Sequence, residues 1–283
     1  MSLIMVLAVI IFCVLAYRRY IATVFKLELE YEIDQSKRVS VTKNIIYKHI
    51  NEKSLLMDVY KPVGLSSESK LPAIVFIHGE GLERAVGNAK EWNIYRSYGK
   101  VAASNDFVGV TFNRSHMNLN FQNAHIKKDI FDAVEYIRAN ADELNIDKDR
   151  ICIWGYSMGG LYVSLFLKNT PKYIKCLVTY YGLHDIKTRT KKVNKEYESY
   201  YPENYLPNGQ DNMPPLLIVK AAKDKVKGIN QSIDNFIKIA KSRNIKYDYI
   251  MHSTGRHSFD ALDNNDETKE VINKTLDFIK KNM

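Results

Sequence analysis

The chain has 283 residues, a net charge of +9, 46% hydrophobic residues and 19 tyrosines. That composition is enough to bury one large core or two small ones, and it excludes a disordered chain. The basic residues are scattered singly and in pairs among acids, with no arginine-rich block or aromatic-interleaved stripe. This argues against a nucleic-acid partner and for a solvated basic surface, near anionic lipid in one reading.

The N-terminus differs in kind from the rest. The stretch LIMVLAVIIFCVLAY, residues 3–17, is uncharged and is followed at once by Arg18 and Arg19. As a helix it reaches about 22 Å, against a bilayer core of about 30 Å. The arginine stems and the apolar Ile21, Ala22, Val24 and Phe25 extend it. A cleaved signal peptide fits less well, because no basic region precedes the run and no A-x-A pair follows it. A helix apolar all round also does not suit the rim of a globular core. Residues 1–25 therefore read as a single transmembrane helix, and the charges after it place the following domain in the cytoplasm. Residues 26–40, mixed in charge and without a strong period, read as a linker into a domain at 41–283.

Within that domain, VTKNIIYKHI (41–50) and SLLMDVYKP (54–62) predict an antiparallel pair closed by Pro62. LPAIVFIHG (71–79) is a continuous apolar run, as in a strand covered on both faces. A helix near 88–104 leads to the strand FVGVTFNR (107–114), and Ile126, Ile130, Phe131, Val134 and Ile137 recur at helical spacing before RICIWG (150–155). LYVSLFL (161–167) predicts a covered central helix, followed by the strands YIKCLVTYYG (173–182) and PPLLIVKAA (214–222). A helix near 230–243, the strand KYDYIMHS (246–253) and an amphipathic helix from about 267 close the chain. Such alternation requires an α/β domain with a mostly parallel central sheet and helices on both faces. Cys13, Cys152 and Cys176 form neither a disulfide framework nor a metal-ligand spacing, and read as small apolar packers.

Chemistry concentrates at Gly155-Tyr156-Ser157-Met158-Gly159, which follows a strand and opens a helix. In that context G-x-S-x-G is a nucleophile elbow: the glycines let strand and helix approach while the serine sits exposed on a strained turn. Met158 N–H, at the helix start, then points toward an oxyanion, and Tyr156, beside the nucleophile, is a candidate substrate contact. A serine needs a base and the base an orienting acid, both expected past the carboxyl ends of strands. Asp224 and His257 stand there, giving the chain order Ser, Asp, His. His184 and Asp185 also follow a strand and compete for these roles. His49 and His252 lie in strands and read as packing or surface residues, and His116 and His125 as loop and helix-start residues. His78-Gly79-Glu80-Gly81 ends the first long strand, where Glu80 N–H supplies a second oxyanion donor and His78 reads as a turn-stabilising side chain.

These four elements, the HG turn, the elbow, AAKD (221–224) and GRHSFD (255–260), resemble the α/β-hydrolase superfamily, and most of all its esterase and dienelactone-hydrolase-like members with a late H-x-F-D. Such members commonly read H-G-G or H-G-G-G, whereas this chain has H-G-E-G, which brings an acidic side chain to the pocket. Arg256 is positioned in sequence to offset that charge, to bind a substrate carboxylate, or simply to be solvated. The resemblance implies hydrolysis of a small-molecule carboxylic ester, with an amide as the lesser option, through an acyl-enzyme and without metal or organic cofactor. A peptidase of related fold and a catalytically silent binding protein at the membrane are the alternatives. The tyrosine-rich insertion near 183–213 is expected as a small cap, with Tyr197, Tyr200, Tyr201 and Tyr205 either walling the pocket or covering the loop's own underside. A small cap favours short or medium acyl groups.

Overall fold

The computed structural model describes residues 5–6, 12, 15, 26–33, 37–80, 88–116, 125–168, 170–190, 195–209 and 213–283. Eight strands form one sheet in the order β1-β2-β4-β3-β5-β6-β7-β8. The antiparallel β1 (Val39–Ile50) and β2 (Lys53–Pro62) occupy one edge, and β2 is also antiparallel to β4 (Val108–Phe112). All other neighbours are parallel: β3 (Leu71–Ile77), β5 (Ile146–Tyr156), β6 (Ile174–Tyr180), β7 (Leu216–Ala221) and β8 (Asp248–His252).

Alternation along β5 decides which helix covers which face. Trp154 and Tyr156, two residues apart, point the same way. Both pack against Tyr98 of α1 (Asn93–Ser104), with ring centroids 5.0 and 4.8 Å away. Gly155 points the other way, onto Val163 of α4 (Gly159–Val163). Along the chain, α2 (His125–Ala139) and the short α3 (Ala141–Leu144) precede β5. Phe131 of α2 meets Phe166, just past α4, on α4's side. The short α5 (Pro202–Tyr205) precedes β7, and α6 (Ile229–Ser242) follows it. The short α7 (Phe259–Leu262) comes before the closing α8 (Asp266–Asn282), whose Thr275 hydroxyl is 2.7 Å from that of Tyr180 on α1's side. Cys152 and Cys176 are free, buried and aligned on β5 and β6.

Two readings of the sequence change, and two that stood open are decided. The predicted helix 161–167 is shorter: α4 ends at Val163 and passes into a 3-10 turn at Ser164–Phe166, where the Ser164 hydroxyl donates back to the Leu161 carbonyl. Such back-bonding competes with the helical ladder. Residues 27–33, expected within a linker, lie along the domain: Leu29 is buried, Tyr31 Oη donates to Asn273 at 2.6 Å, and Glu30 N–H donates to the Asp260 carbonyl at 2.7 Å. Leu27, Leu29, Tyr31 and Ile33 alternate with acids, so one side of an extended segment is apolar. His184 and Asp185 are structural. His184 is buried against Phe236 with Nε2 3.1 Å from the Thr179 hydroxyl, and Asp185 caps the turn Ile186–Thr188. The cap tyrosines turn inward: Tyr205 Oη donates to the His184 carbonyl at 2.7 Å, Tyr200 packs on Tyr162, and Tyr201 lies under the Lys187 ammonium. Residues 3–17, read as a membrane span, lie outside the described residues except at 5, 6, 12 and 15, as does Cys13. No helix among the described residues is long and apolar enough to cross a membrane.

Burial lowers the His184 imidazole from its ordinary 6.5 to about 3. Below pH 6.5 the unfolded chain takes up a proton there that the folded chain refuses, so stability is complete above that pH and falls toward pH 3. Urea unfolding should show His184→Gln losing less stability than the wild type between pH 6.5 and 4.5, by up to about 1.4 kcal/mol per pH unit. Identical slopes would contradict this.

Candidate active site

The site begins with a backbone constraint. Ser157 holds φ 51°, in the left-handed region, immediately after β5. Its N–H donates to the Tyr180 carbonyl at 3.1 Å, and its carbonyl accepts from Gly160 at 3.0 Å and Leu183 at 2.8 Å. The glycines act here by absence of bulk. A Cβ on Gly159 would stand 2.3 Å from the Ile77 carbonyl oxygen, and one on Gly155 would stand 2.7 Å from the Gly159 oxygen.

The other two groups come from loops that leave β7 and β8. Ala222 N–H donates to the His252 carbonyl at 3.0 Å and Lys223 N–H to the Gly255 carbonyl at 2.8 Å, so the two loops are fastened to each other. His257 then stands between the acid and the serine: Nδ1 is 2.6 Å from Asp224 Oδ2, and Nε2 is 3.0 Å from Ser157 Oγ. The second Asp224 oxygen accepts from Val226 N–H at 2.8 Å. Behind the imidazole, the Tyr181 ring lies 4.7 Å away, and its hydroxyl donates to the fully buried Asp260 at 2.8 Å. Tyr98 Oη donates to the other Asp260 oxygen at 2.5 Å. Burial raises the Asp260 carboxyl above its usual range, and the two phenols oppose that shift. Asp260 thus gives the late H-x-F-D element a packing role behind His257.

On the opposite side of the serine stands the turn after β3. Gly79 N–H donates to Tyr95 Oη at 3.1 Å. The N–H groups of Glu80 and Met158 meet no acceptor among the described residues, which suits the role expected of both. His78 is buried and held neutral, first by desolvation and then by the Arg114 charge, and its Nδ1 donates to the Gly79 carbonyl at 2.7 Å. Gly81 lies outside the described residues.

The Glu80 carboxylate is balanced by a residue that the sequence did not single out. Arg114 Nη1 reaches Glu80 Oε1 at 2.6 Å and the Ser115 carbonyl at 2.9 Å, while Nη2 reaches the His78 carbonyl at 3.1 Å. Its guanidinium lies 4.6 Å from the centre of the Tyr162 ring, and Tyr162 Oη donates to Glu80 at 3.3 Å. Burial works against that charge, and Glu80 together with the Tyr162 and Tyr95 phenols outweighs it, so Arg114 holds its proton above its ordinary value. Arg256 therefore does not offset Glu80. It pairs with Asp263 at 2.6 Å and donates to the Leu262 carbonyl, at the edge of a cleft of about 610 Å³ that opens beside His257. Tyr156 is corrected as a substrate contact: at 2% exposure it faces α1 in the core, because the strand pleat turns it away from the serine. Among the described residues no group of three or more His, Cys, Asp or Glu side chains is arranged to hold a metal ion.

Comparison with known proteins agrees with this architecture. A truncated carbohydrate esterase from gut microbiota superposes with a TM-score of 0.68 at 18% identity, covering 88% of this chain and 98% of that one. Residues 57–186 match the family model BD-FAE. The chain has an α/β-hydrolase-like fold. A thermophilic esterase of Thermogutta terrifontis with butyrate bound has a TM-score of 0.64 at 17% identity, covering 87% of this chain and 93% of that one. Esterase B of Lactobacillus rhamnosis has a TM-score of 0.63 at 14% identity, covering 89% and 88%. In sequence, mouse carboxylesterase 1C is 28% identical over 142 residues, which are 47% of this chain and 24% of the mouse enzyme, so the match spans about a quarter of that relative.

Breaking the Arg114–Glu80 pair leaves a buried charge without its partner, at a cost of about 3–5 kcal/mol. Arg114→Leu should lose that much in urea unfolding, and Glu80→Gln/Arg114→Leu should regain part of it. A single variant within 1 kcal/mol of the wild type (roughly the worth of an exposed pair) would contradict the assignment.

Proposed function

We propose that this chain is a serine hydrolase of the α/β-hydrolase superfamily that cleaves small carboxylic esters through an acyl-enzyme. The observation that carries the reading is the unbroken hydrogen-bonded line from Asp224 through His257 to Ser157 Oγ. His257 Nε2 takes the serine proton as Oγ attacks the acyl carbon, and Asp224 fixes the tautomer and steadies the imidazolium. The charge that forms on the carbonyl oxygen is met by the N–H groups of Met158 and Glu80. His257 then gives its proton to the departing alcohol, and water repeats the sequence in reverse to free the acid and the serine. The chemistry calls for no metal or organic cofactor. A related Thermogutta terrifontis esterase described as phosphorylated by paraoxon, and the same enzyme with butyrate bound, support a short acyl group and a nucleophile of this type.

The same proposal reads residues 1–25 as a single membrane anchor with the hydrolase domain on the cytoplasmic side. The uncharged run 3–17 and the arginines that follow it support this.

Two measurements test these readings. The wild type should turn over p-nitrophenyl acetate, and Ser157→Ala should lose at least roughly a thousandfold in kcat/KM. Full activity in the variant would overturn the mechanism, comparable rates on peptide amides would favour a peptidase, and inertness toward every activated ester would favour a silent binding protein. The full-length chain should stay in the membrane pellet through an alkaline carbonate wash. Its release, uncleaved, would contradict the anchor.

A further inference from the structure

The wall of the cleft beside His257 carries an unbalanced charge. Lys223, Lys225 and Arg256 all line it, together with the apolar Val226 and Leu262. Arg256 is paired with Asp263, whereas neither lysine has an ion-pair partner among the described residues. Asp224, between the two lysines in sequence, gives no compensation at the surface: its side chain is fully buried and both oxygens are bonded, to His257 and to Val226 N–H. The lysines are also held in register with the catalytic base, since the Ala222 and Lys223 N–H groups are bonded to the loop that carries His257.

The direction of the proposed reaction decides which part of a substrate meets this wall. His257 returns its proton to the leaving oxygen, so that oxygen must stand at His257, away from the Met158 and Glu80 N–H groups that meet the carbonyl oxygen. The alcohol portion then runs past His257 into the cleft. We propose that Lys223 and Lys225 form a subsite for an anionic group on the alcohol portion of the ester, joined to the ester oxygen by a short carbon chain that lies on Val226 and Leu262. The proposal rests on the serine-hydrolase reading and names the substrate class of the same site. The bond changes are those already given: the acyl carbon–oxygen bond breaks, the acyl group passes to Ser157, and the anion stays on the departing hydroxy acid.

The test compares the acetate ester of a short hydroxy acid with that of the corresponding amide, two substrates alike in leaving group and differing in charge. Two lysines near the anion should favour the acid ester roughly tenfold in kcat/KM at low salt, expressed mainly in KM and shrinking as salt is added. The ratio should fall toward one in Lys223→Gln/Lys225→Gln. It should persist in Lys227→Gln, which removes a neighbouring exposed lysine that does not line the cleft. Equal rates on the two esters in the wild type, or a preference that survives in the double variant, would overturn the proposal. So would lysine-dependent binding to phosphatidylglycerol vesicles without any preference among soluble esters, which would assign the charge to a membrane surface. Turnover of the amide ester without preference for the acid leaves the hydrolase reading standing and removes this inference alone. No turnover of either ester removes both.

Discussion

A serine at φ 51° with its hydroxyl presented at the end of a strand has to be held there, because a left-handed backbone costs a non-glycine residue roughly 1–2 kcal/mol. The holding force is steric and comes from what the neighbouring glycines lack. Gly159 passes so close to the end of β3 that any side chain would collide with the Ile77 carbonyl, and Gly155 passes as close to the start of α4. This close contact fixes where α4 begins and leaves Ser157 at the sheet's carboxyl edge. The same contact brings the turn after β3 alongside, so that Gly79 lies against the serine with only 3.2 Å between a Cβ there and Ser157 Cβ. Ser157 and the turn that faces it are therefore set by one packing event.

The remaining groups are added to that edge by two other networks. The loops after β7 and β8 are fastened to each other by main-chain bonds, so Asp224 and His257 arrive as a unit. Tyr181, itself at φ 36°, closes the site from behind and hands the support on to Asp260 and Tyr98 in the core. On the far side, Arg114 ties the His78 carbonyl and the Glu80 carboxylate together beneath the turn after β3. The acidic side chain in that turn is thereby paired with a buried cation, and its N–H meets no acceptor among the described residues.

The order of strands and helices was legible in the sequence because each strand is a short apolar run between turn residues, and the candidate nucleophile was legible because its elbow is local. Asp224 and His257 could be placed because both follow strands that the hydrophobic pattern marks clearly. What could not be read depends on pairing across the fold or on facing. Arg114 and Glu80 are 34 residues apart, and nothing in either segment announces the partnership. Tyr156 sits beside the serine in sequence, yet the pleat sends it into the aromatic core with Trp154 and Tyr98. The alternation of Leu27, Leu29, Tyr31 and Ile33 is a real signal of a half-buried segment, and the charges between those residues masked it. The cap tyrosines face inward because Tyr162, His184 and Phe236 offer them buried surface, a fact of tertiary packing alone.

The central claim is that Ser157 is the activated nucleophile of this arrangement. The most direct measurement is reaction of the full-length chain with a fluorophosphonate, followed by mass spectrometry of its peptides. The account predicts one adduct per chain, on the peptide carrying Ser157, formed much more slowly when His257 is replaced by alanine. An adduct elsewhere, or none under conditions that label a known serine esterase, would contradict it.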